Sequence, residues 1–375
     1  MLEYSNSFIK DYTNVYAITA TSNNLFKQEK NKELLAANID SIDIAKMYFD
    51  VVIIDEASKL TPIEILMPII FGKTTILVGD YRQLPPILPI RQEDVELINE
   101  IHGEDFNYSE FKKMFEESMF KNIISSANST ISGILLEQYR SNEDIMKIVN
   151  NFYNNKLKLG TKNQNFDLRH TISVKNQKGL TIFEPNKSIY WLDSSTDLHG
   201  KIVIEDRAYN STSLSNVFEI NLIKNSLLKI QESLKPTEKI TIAIISFYKK
   251  QITALKHELN KINLKNIKLN ISTVDDFQGK EADHVFVSLV RRPRDTSKMD
   301  ASFIEKYERI NVAFSRAKKM LVIVGALDFY KNLEIPMPDF NDPMKQTKVD
   351  VYKRIAKIIN TYGIIHEAHN ILEEN

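Results

Sequence analysis

Short apolar runs rich in Val and Ile punctuate the chain at residues 15–19, 49–54, 75–78, 240–245, 284–289 and 320–324. Each is bounded by polar residues or glycine, the appearance of parallel strands buried on both faces. Between them lie stretches with helical spacing. In 142–153 the positions Ile145, Ile148, Val149 and Phe152 form one apolar stripe. In 216–234 the stripe is Phe218, Ile220, Ile223, Leu227, Leu228 and Ile230. Strands alternating with helices predict α/β layers with parallel sheets.

The runs fall into two sets, one before about residue 128 and one after about residue 137. This predicts a first lobe over 1–130, including a polar, helical connection at 92–129, and a second lobe over 131–335. Residues 160–215 read as loops around one strand at 188–192, and 336–375 as a helical tail with an amphipathic stretch at 349–359.

Composition narrows this picture without redirecting it. The 375 residues are 43% hydrophobic and 26% charged, as in ordinary globular domains. Lys plus Arg equals Asp plus Glu at 49 each, so binding to an anionic polymer would need a local groove rather than a global field. Lys249, Lys250 and Lys256, or the arginines within 291–294, are candidate linings; each patch alone also reads as solvated surface. There is no cysteine, which excludes disulfides and thiolate metal sites. The seven histidines are scattered. No apolar run reaches the length of a membrane span, and a cytoplasmic chain, or a nuclear one in a eukaryote, is expected.

Chemistry gathers at the ends of the runs. The run 49–54 leads into Asp55-Glu56-Ala57-Ser58. A carboxylate at the carboxyl tip of a parallel strand lies where α/β sheets bind ligands. In P-loop NTPases such an aspartate holds Mg²⁺, and a neighbouring glutamate can polarise the attacking water. The run 75–78 leads into Gly79-Asp80-Tyr81-Arg82-Gln83-Leu84-Pro85-Pro86, where the Gln83 amide can meet a γ-phosphate or a water. Further on come Gln138-Tyr139-Arg140, then Ser246-Phe247-Tyr248, then Val274-Asp275-Asp276-Phe277-Gln278-Gly279-Lys280-Glu281, and last Asn311-Val312-Ala313-Phe314-Ser315-Arg316-Ala317. Arg140 and Arg316 offer permanently charged, forked donors suited to phosphate.

In order and spacing, these runs resemble motifs II to VI of superfamily 1 helicases, over about residues 10–335. The nearest group is the 5′-to-3′ branch that holds the nonsense-mediated-decay helicase, senataxin and the Dna2-type helicase-nucleases. The resemblance implies two RecA-like P-loop NTPase lobes, the first incomplete at its start, with ATP and Mg²⁺ between them. It also implies movement on single-stranded DNA or RNA. Asp55 would be the metal ligand. Glu56, Gln83, Arg140 and Arg316 would serve hydrolysis, with Arg316 as the arginine finger. Glu281 would hold the ribose, with Gly279 permitting close approach of the backbone. Ser246, Tyr248 and Thr273 would lie by the nucleic-acid backbone; Phe247 stands where the family usually has proline.

A phosphate loop of the form G-x-x-x-x-G-K-[ST] is missing. Gly72-Lys73-Thr74 does not supply it, because Met67 stands at the first glycine position and the tripeptide precedes a strand. The expectation is therefore a portion of a motor that works with an N-terminal half or other protein modules, and that alone binds ATP poorly. The alternative is a non-catalytic nucleic-acid-binding or scaffold half acting with a partner.

Overall fold

The computed structural model describes residues 15, 17, 19, 49–87, 95–97, 100–101, 118–160, 168–207, 213–294, 304, 306–340 and 342–372. The chain divides into two compact units. One comprises 1–81 with 85–124, the other 82–84 with 125–375.

In the first unit, β1 (Phe49–Ile54) and β2 (Gly72–Leu77) pair in parallel, with Val52 opposite Thr75 and Ile54 opposite Leu77. The connection carries α1 (Pro62–Ile69), whose start is written in the sequence. Thr61 accepts from the Glu64 amide, Glu64 accepts from the Thr61 amide at 2.8 Å, and Pro62 fits the first turn. Ile54, Ala57 and Ile65 pack with Phe120 of α2 (Met119–Ser126) into a small core. On β1 and β2, Val51, Ile53 and Ile76 are exposed, as is the following Val78. The expectation of strands covered on both faces therefore does not hold here among the described residues, since α1 and α2 cover one face only.

The second unit is built on a six-stranded sheet. Its strands are β3 (Ile189–Asp193), β4 (Ile240–Ser246), β5 (Ile267–Thr273), β6 (Ala282–Ser288), β7 (Ala317–Gly325) and β10 (Ile364–Glu367). Their order is β5-β4-β6-β7-β3-β10, and every pairing is parallel. Successive residues alternate between two cores. Trp191, Ile245, Val287 and Ile323 face one; Tyr190, Ile244, Phe286 and Val322 face the other. The first core takes in α3 (Glu143–Val149), α6 (Tyr307–Phe314) and α7 (Val351–Tyr362). The second takes in α4 (Val217–Ser233) and α5 (Lys249–Leu259). Burial on both faces explains why β3, β4, β6 and β7 read as apolar runs, whereas β5 and β10, at the two edges of the sheet, are only partly buried and do not. The α/β class with parallel strands is as expected.

After β7 the chain forms an antiparallel hairpin, β8 (Ile335–Pro338) with β9 (Gln346–Val349). Then α7 lays Val351, Tyr352, Ile355 and Ile359 into the core. Gly363 turns the chain into β10, and a Cβ there would lie 1.9 Å from the Ile189 carbonyl oxygen, so only glycine fits. The tail thus supplies strands as well as helices, and its last strand extends the sheet.

At 15–19 the described residues Val15, Ala17 and Thr19 are exposed and belong to no strand, while 16 and 18 lie outside the described residues. Most of the expected connection at 92–129 also lies outside the described residues.

Candidate nucleotide and strand-binding site

In the first unit, Asp55 and Glu56 leave the tip of β1, both exposed. Asp55 Oδ1 accepts from the Glu56 amide at 2.8 Å, and Glu56 has a left-handed backbone with φ of 54°. That sharp turn separates the two carboxylates; Glu56 reaches Lys59 at 3.1 Å. The chain leaving β2 is clamped against this turn. Ala57 donates to the Val78 carbonyl at 2.8 Å, Asp80 donates to Ser58 Oγ at 3.3 Å, and a Cβ on Gly79 would meet the Ser58 nitrogen at 2.9 Å.

In the second unit, Arg140, Glu281 and Lys318 form one charged cluster. Glu281 accepts from Arg140 Nε at 3.2 Å and from the Lys318 ammonium. The Lys318 hydrogen bond, with Arg140 assisting, holds the Glu281 carboxyl below the usual carboxylate range. Arg140 Nη1 also donates to the Ser315 carbonyl at 3.4 Å.

Beside the cluster, Arg316 is 1% exposed and its donors are engaged. Nε meets the Val312 carbonyl at 3.0 Å, Nη1 the Lys280 carbonyl at 3.3 Å, and Nη2 both Ser315 Oγ and Gln83 Oε1 at 3.1 Å. The structure therefore brings together Arg140, Glu281, Arg316 and Gln83. Gly279, with φ of 76°, turns the chain one residue before Lys280.

Residues 274–281 run from the carboxyl end of β5 to the amino end of β6. Both strands flank β4 in parallel, with Thr273 and Ser288 each level with Ser246. The seven residues of β6 at the usual rise separate those ends by roughly 20 Å. One continuous run thus carries Glu281 at one edge of the sheet and Thr273 at the other.

At that other edge Ser246, Tyr248 and Thr273 are all buried. Ser246 Oγ donates to the Ser288 carbonyl at 3.0 Å, and Thr273 Oγ1 to Asp276 Oδ2 at 2.8 Å. A wholly buried carboxylate, Glu219, ties the edge together. It accepts from Ser288 Oγ at 2.6 Å, from the Val290 amide at 3.0 Å and from Ser194 Oγ at 3.4 Å. Burial pushes its pKa up to about 8, although each of those hydrogen bonds pulls downward. Gln251 donates to Ser288 Oγ at 2.9 Å and accepts from the Asn216 amide at 2.8 Å. Val290, β-branched yet at φ of 70°, is held in that conformation by its bond to Glu219.

Sequence reasoning missed Glu219, Gln251, Ser288 and Arg82. Gln251 stands only three residues past Tyr248, but nothing local marks Glu219, which sits in the first turn of an amphipathic helix. Arg291, a candidate for a basic lining, is instead 1% exposed and paired with Glu205 at 2.6 Å. Its neighbour Arg292 holds Asp328. A carboxylate reached from residue 205 was invisible in the local sequence.

Two family models for an AAA domain match the chain, AAA_12 over residues 115–328 and AAA_11 over 35–89. The first alone spans more than half the chain. This chain belongs to the Dna2-like superfamily 1 helicases. Among curated relatives of this chain, an uncharacterized ATP-dependent helicase of Methanocaldococcus jannaschii is 29% identical over 83% of the chain and 40% of its own length. The human DNA replication ATP-dependent helicase/nuclease DNA2 is 27% identical over 83% of the chain and 28% of its own length. The DNA polymerase alpha-associated DNA helicase A of Saccharomyces cerevisiae is 30% identical over 75% of the chain and 38% of its own length. The chain thus spans two-fifths or less of the length of these relatives. No helix among its described residues is long and apolar enough to cross a membrane.

Proposed function

We propose that this chain is the sensing and strand-gripping portion of an ATP-driven motor that moves 5′ to 3′ on single-stranded DNA or RNA. The observation that carries the reading is the convergence of Arg140, Glu281, Arg316 and Gln83 at one edge of the second unit's sheet. The Val312 and Lys280 carbonyls, Ser315 Oγ and Gln83 Oε1 that Arg316 meets are neutral oxygens, whereas a phosphate would add a full opposite charge and bidentate geometry to the same donors. In this reading Arg140 and Arg316 answer to the γ-phosphate and Glu281 holds the ribose beside Gly279.

In the first unit, Asp55 suits Mg²⁺ that arrives with ATP. Its carboxylate is exposed at a strand tip, and among the described residues no group of three or more His, Cys, Asp or Glu could hold a metal. Mg²⁺ is commonly bound through one or two carboxylates while keeping waters and substrate phosphates. When bound it would neutralise charge on the phosphates. Glu56 would orient the attacking water. At the opposite edge, Ser246, Tyr248 and Thr273 hold the loops whose backbone meets the strand, so binding is salt-dependent and tolerant of sequence.

The phosphate cradle is not among these 375 residues, and other parts of the motor supply it. The test is ATP turnover by the natural polypeptide that carries this chain, with and without single-stranded DNA or RNA. Stimulated turnover is expected, and its absence with Gln83 and Arg316 intact would favour a non-catalytic scaffold acting with a partner. For the chain alone, calorimetric titration should detect no tight ATP binding.

A further inference from the structure

Within the run 79–86, Arg82 has no chemical part in the site described above, yet it is 2% exposed. Residues 82–84 belong to the second unit although the chain on both sides belongs to the first. Arg82 Nη1 donates to the Phe152 carbonyl and Nη2 to the Asp339 carbonyl at 3.1 Å. Its guanidinium carbon lies 5.9 Å from the Tyr153 ring centre and 5.7 Å from that of Phe340, within reach of cation–π attraction. The Arg82 carbonyl accepts from Asn311 Nδ2 at 2.8 Å, and that nitrogen also donates to the Tyr153 hydroxyl at 3.0 Å. One residue on, Gln83 meets Arg316, and Leu84 joins the larger core.

Burying a guanidinium is unfavourable unless its donors are met in good geometry. An apolar side chain would fill the same space without that penalty, so the arginine is read as a specifier of position. Its planar fork reaches two carbonyls on separate segments from two nitrogens held in fixed geometry, where lysine would offer one nitrogen on a flexible stem. One of those segments, Asp339–Phe340 after β8, lies beyond residue 328, where the family match ends.

We propose that Arg82 is a positioning residue. By clasping the Phe152 and Asp339 carbonyls between the Tyr153 and Phe340 rings, it sets residues 82–84 so that Gln83 meets Arg316. The end of the β8 strand thereby becomes part of the site's support. The consequence for turnover rests on the proposed function; the clasp itself does not.

Amide hydrogen exchange on the whole chain tests the clasp. Arg82→Leu should speed exchange in peptides covering 81–87 by about tenfold, while peptides from β4, β6 and β7 stay unchanged. Arg82→Lys should fall between. Phe340→Leu stays apolar at some loss of volume, removes the ring face, and should act in the same direction if Arg82→Leu does not fold. Unchanged exchange at 81–87 would overturn the proposal, leaving Leu84 as the anchor. A uniform rise across the sheet would overturn it too, since Arg82 would then serve the fold alone. In the natural polypeptide, Arg82→Leu should lower kcat about tenfold with KM for ATP unchanged, because misplacing Gln83 and Arg316 affects the transition state. A raised KM with kcat intact would contradict this. If the wild-type polypeptide turns over no ATP, the functional reading fails while the exchange result still decides the clasp.

Discussion

Arg316 Nη2 and Gln83 Oε1 lie 3.1 Å apart, joining two residues 233 positions apart in the chain. Gln83 gives the buried guanidinium a neutral side-chain acceptor. The Val312 and Lys280 carbonyls are fixed backbone of α6 and of the turn before β6. The contacts to side chains, Gln83 Oε1 and Ser315 Oγ, are therefore the ones that can yield when a phosphate arrives.

From this pairing, Arg316→Lys in the natural polypeptide should lower the ATP turnover number by about 10³ or more, the usual effect of removing an arginine finger. The fold should survive, as a thermal melt can check. Turnover within threefold of wild type would remove Arg316 from the chemistry.

Glu281 stands between Arg140 and Lys318, all three partly exposed. Ion pairs so placed contribute ~0–1 kcal/mol, so Glu281→Gln should shift the urea midpoint little. ATP affinity should nevertheless fall severalfold in the natural polypeptide, because a ribose partner is lost and Arg140 is released. A large loss of stability with unchanged affinity would make Glu281 a structural residue.

Glu219 offers a pH signature. Its folded pKa, raised to about 8, lies above the ordinary carboxylate value, so the folded chain holds a proton that the unfolded chain gives up. Its contribution is fully present below about pH 4.5 and is lost as pH rises toward 8. Glu219→Gln removes this dependence and should gain stability relative to wild type by on the order of a few kcal/mol between pH 5 and 8. Trp191, the single tryptophan and fully buried, reports unfolding by fluorescence. Parallel pH profiles for the two proteins would refute the assignment.

His170 should behave in the opposite sense. Burial lowers its pKa to about 4, against a hydrogen bond to the Lys187 carbonyl. It stays neutral at pH 6, and stability is lost as pH falls from about 6.5 through 4. An NMR titration of its ring proton with a midpoint near 6.5 would contradict this.

The inner strands β4, β6, β7 and β3 were legible because burial on both faces leaves an apolar run, whereas the edge strands β5 and β10, only partly buried, were not. The predicted 240–245 became β4 at Ile240–Ser246, and 216–234 became α4 at Val217–Ser233. Run order and spacing likewise disclosed the helicase family, since motif chemistry is local to each strand end.

What the sequence determined by itself was which residues end each strand and what chemistry those ends carry, because that information is contained in runs of a few residues. Only the tertiary structure decided which ends meet. It put Gln83 on Arg316, buried Ser246 and Thr273, and lodged Arg82 between Phe152 and Asp339. Such partners are chosen by strand order and by the desolvation of polar groups, whose unfavourable free energy is offset only when distant residues supply the missing hydrogen bonds.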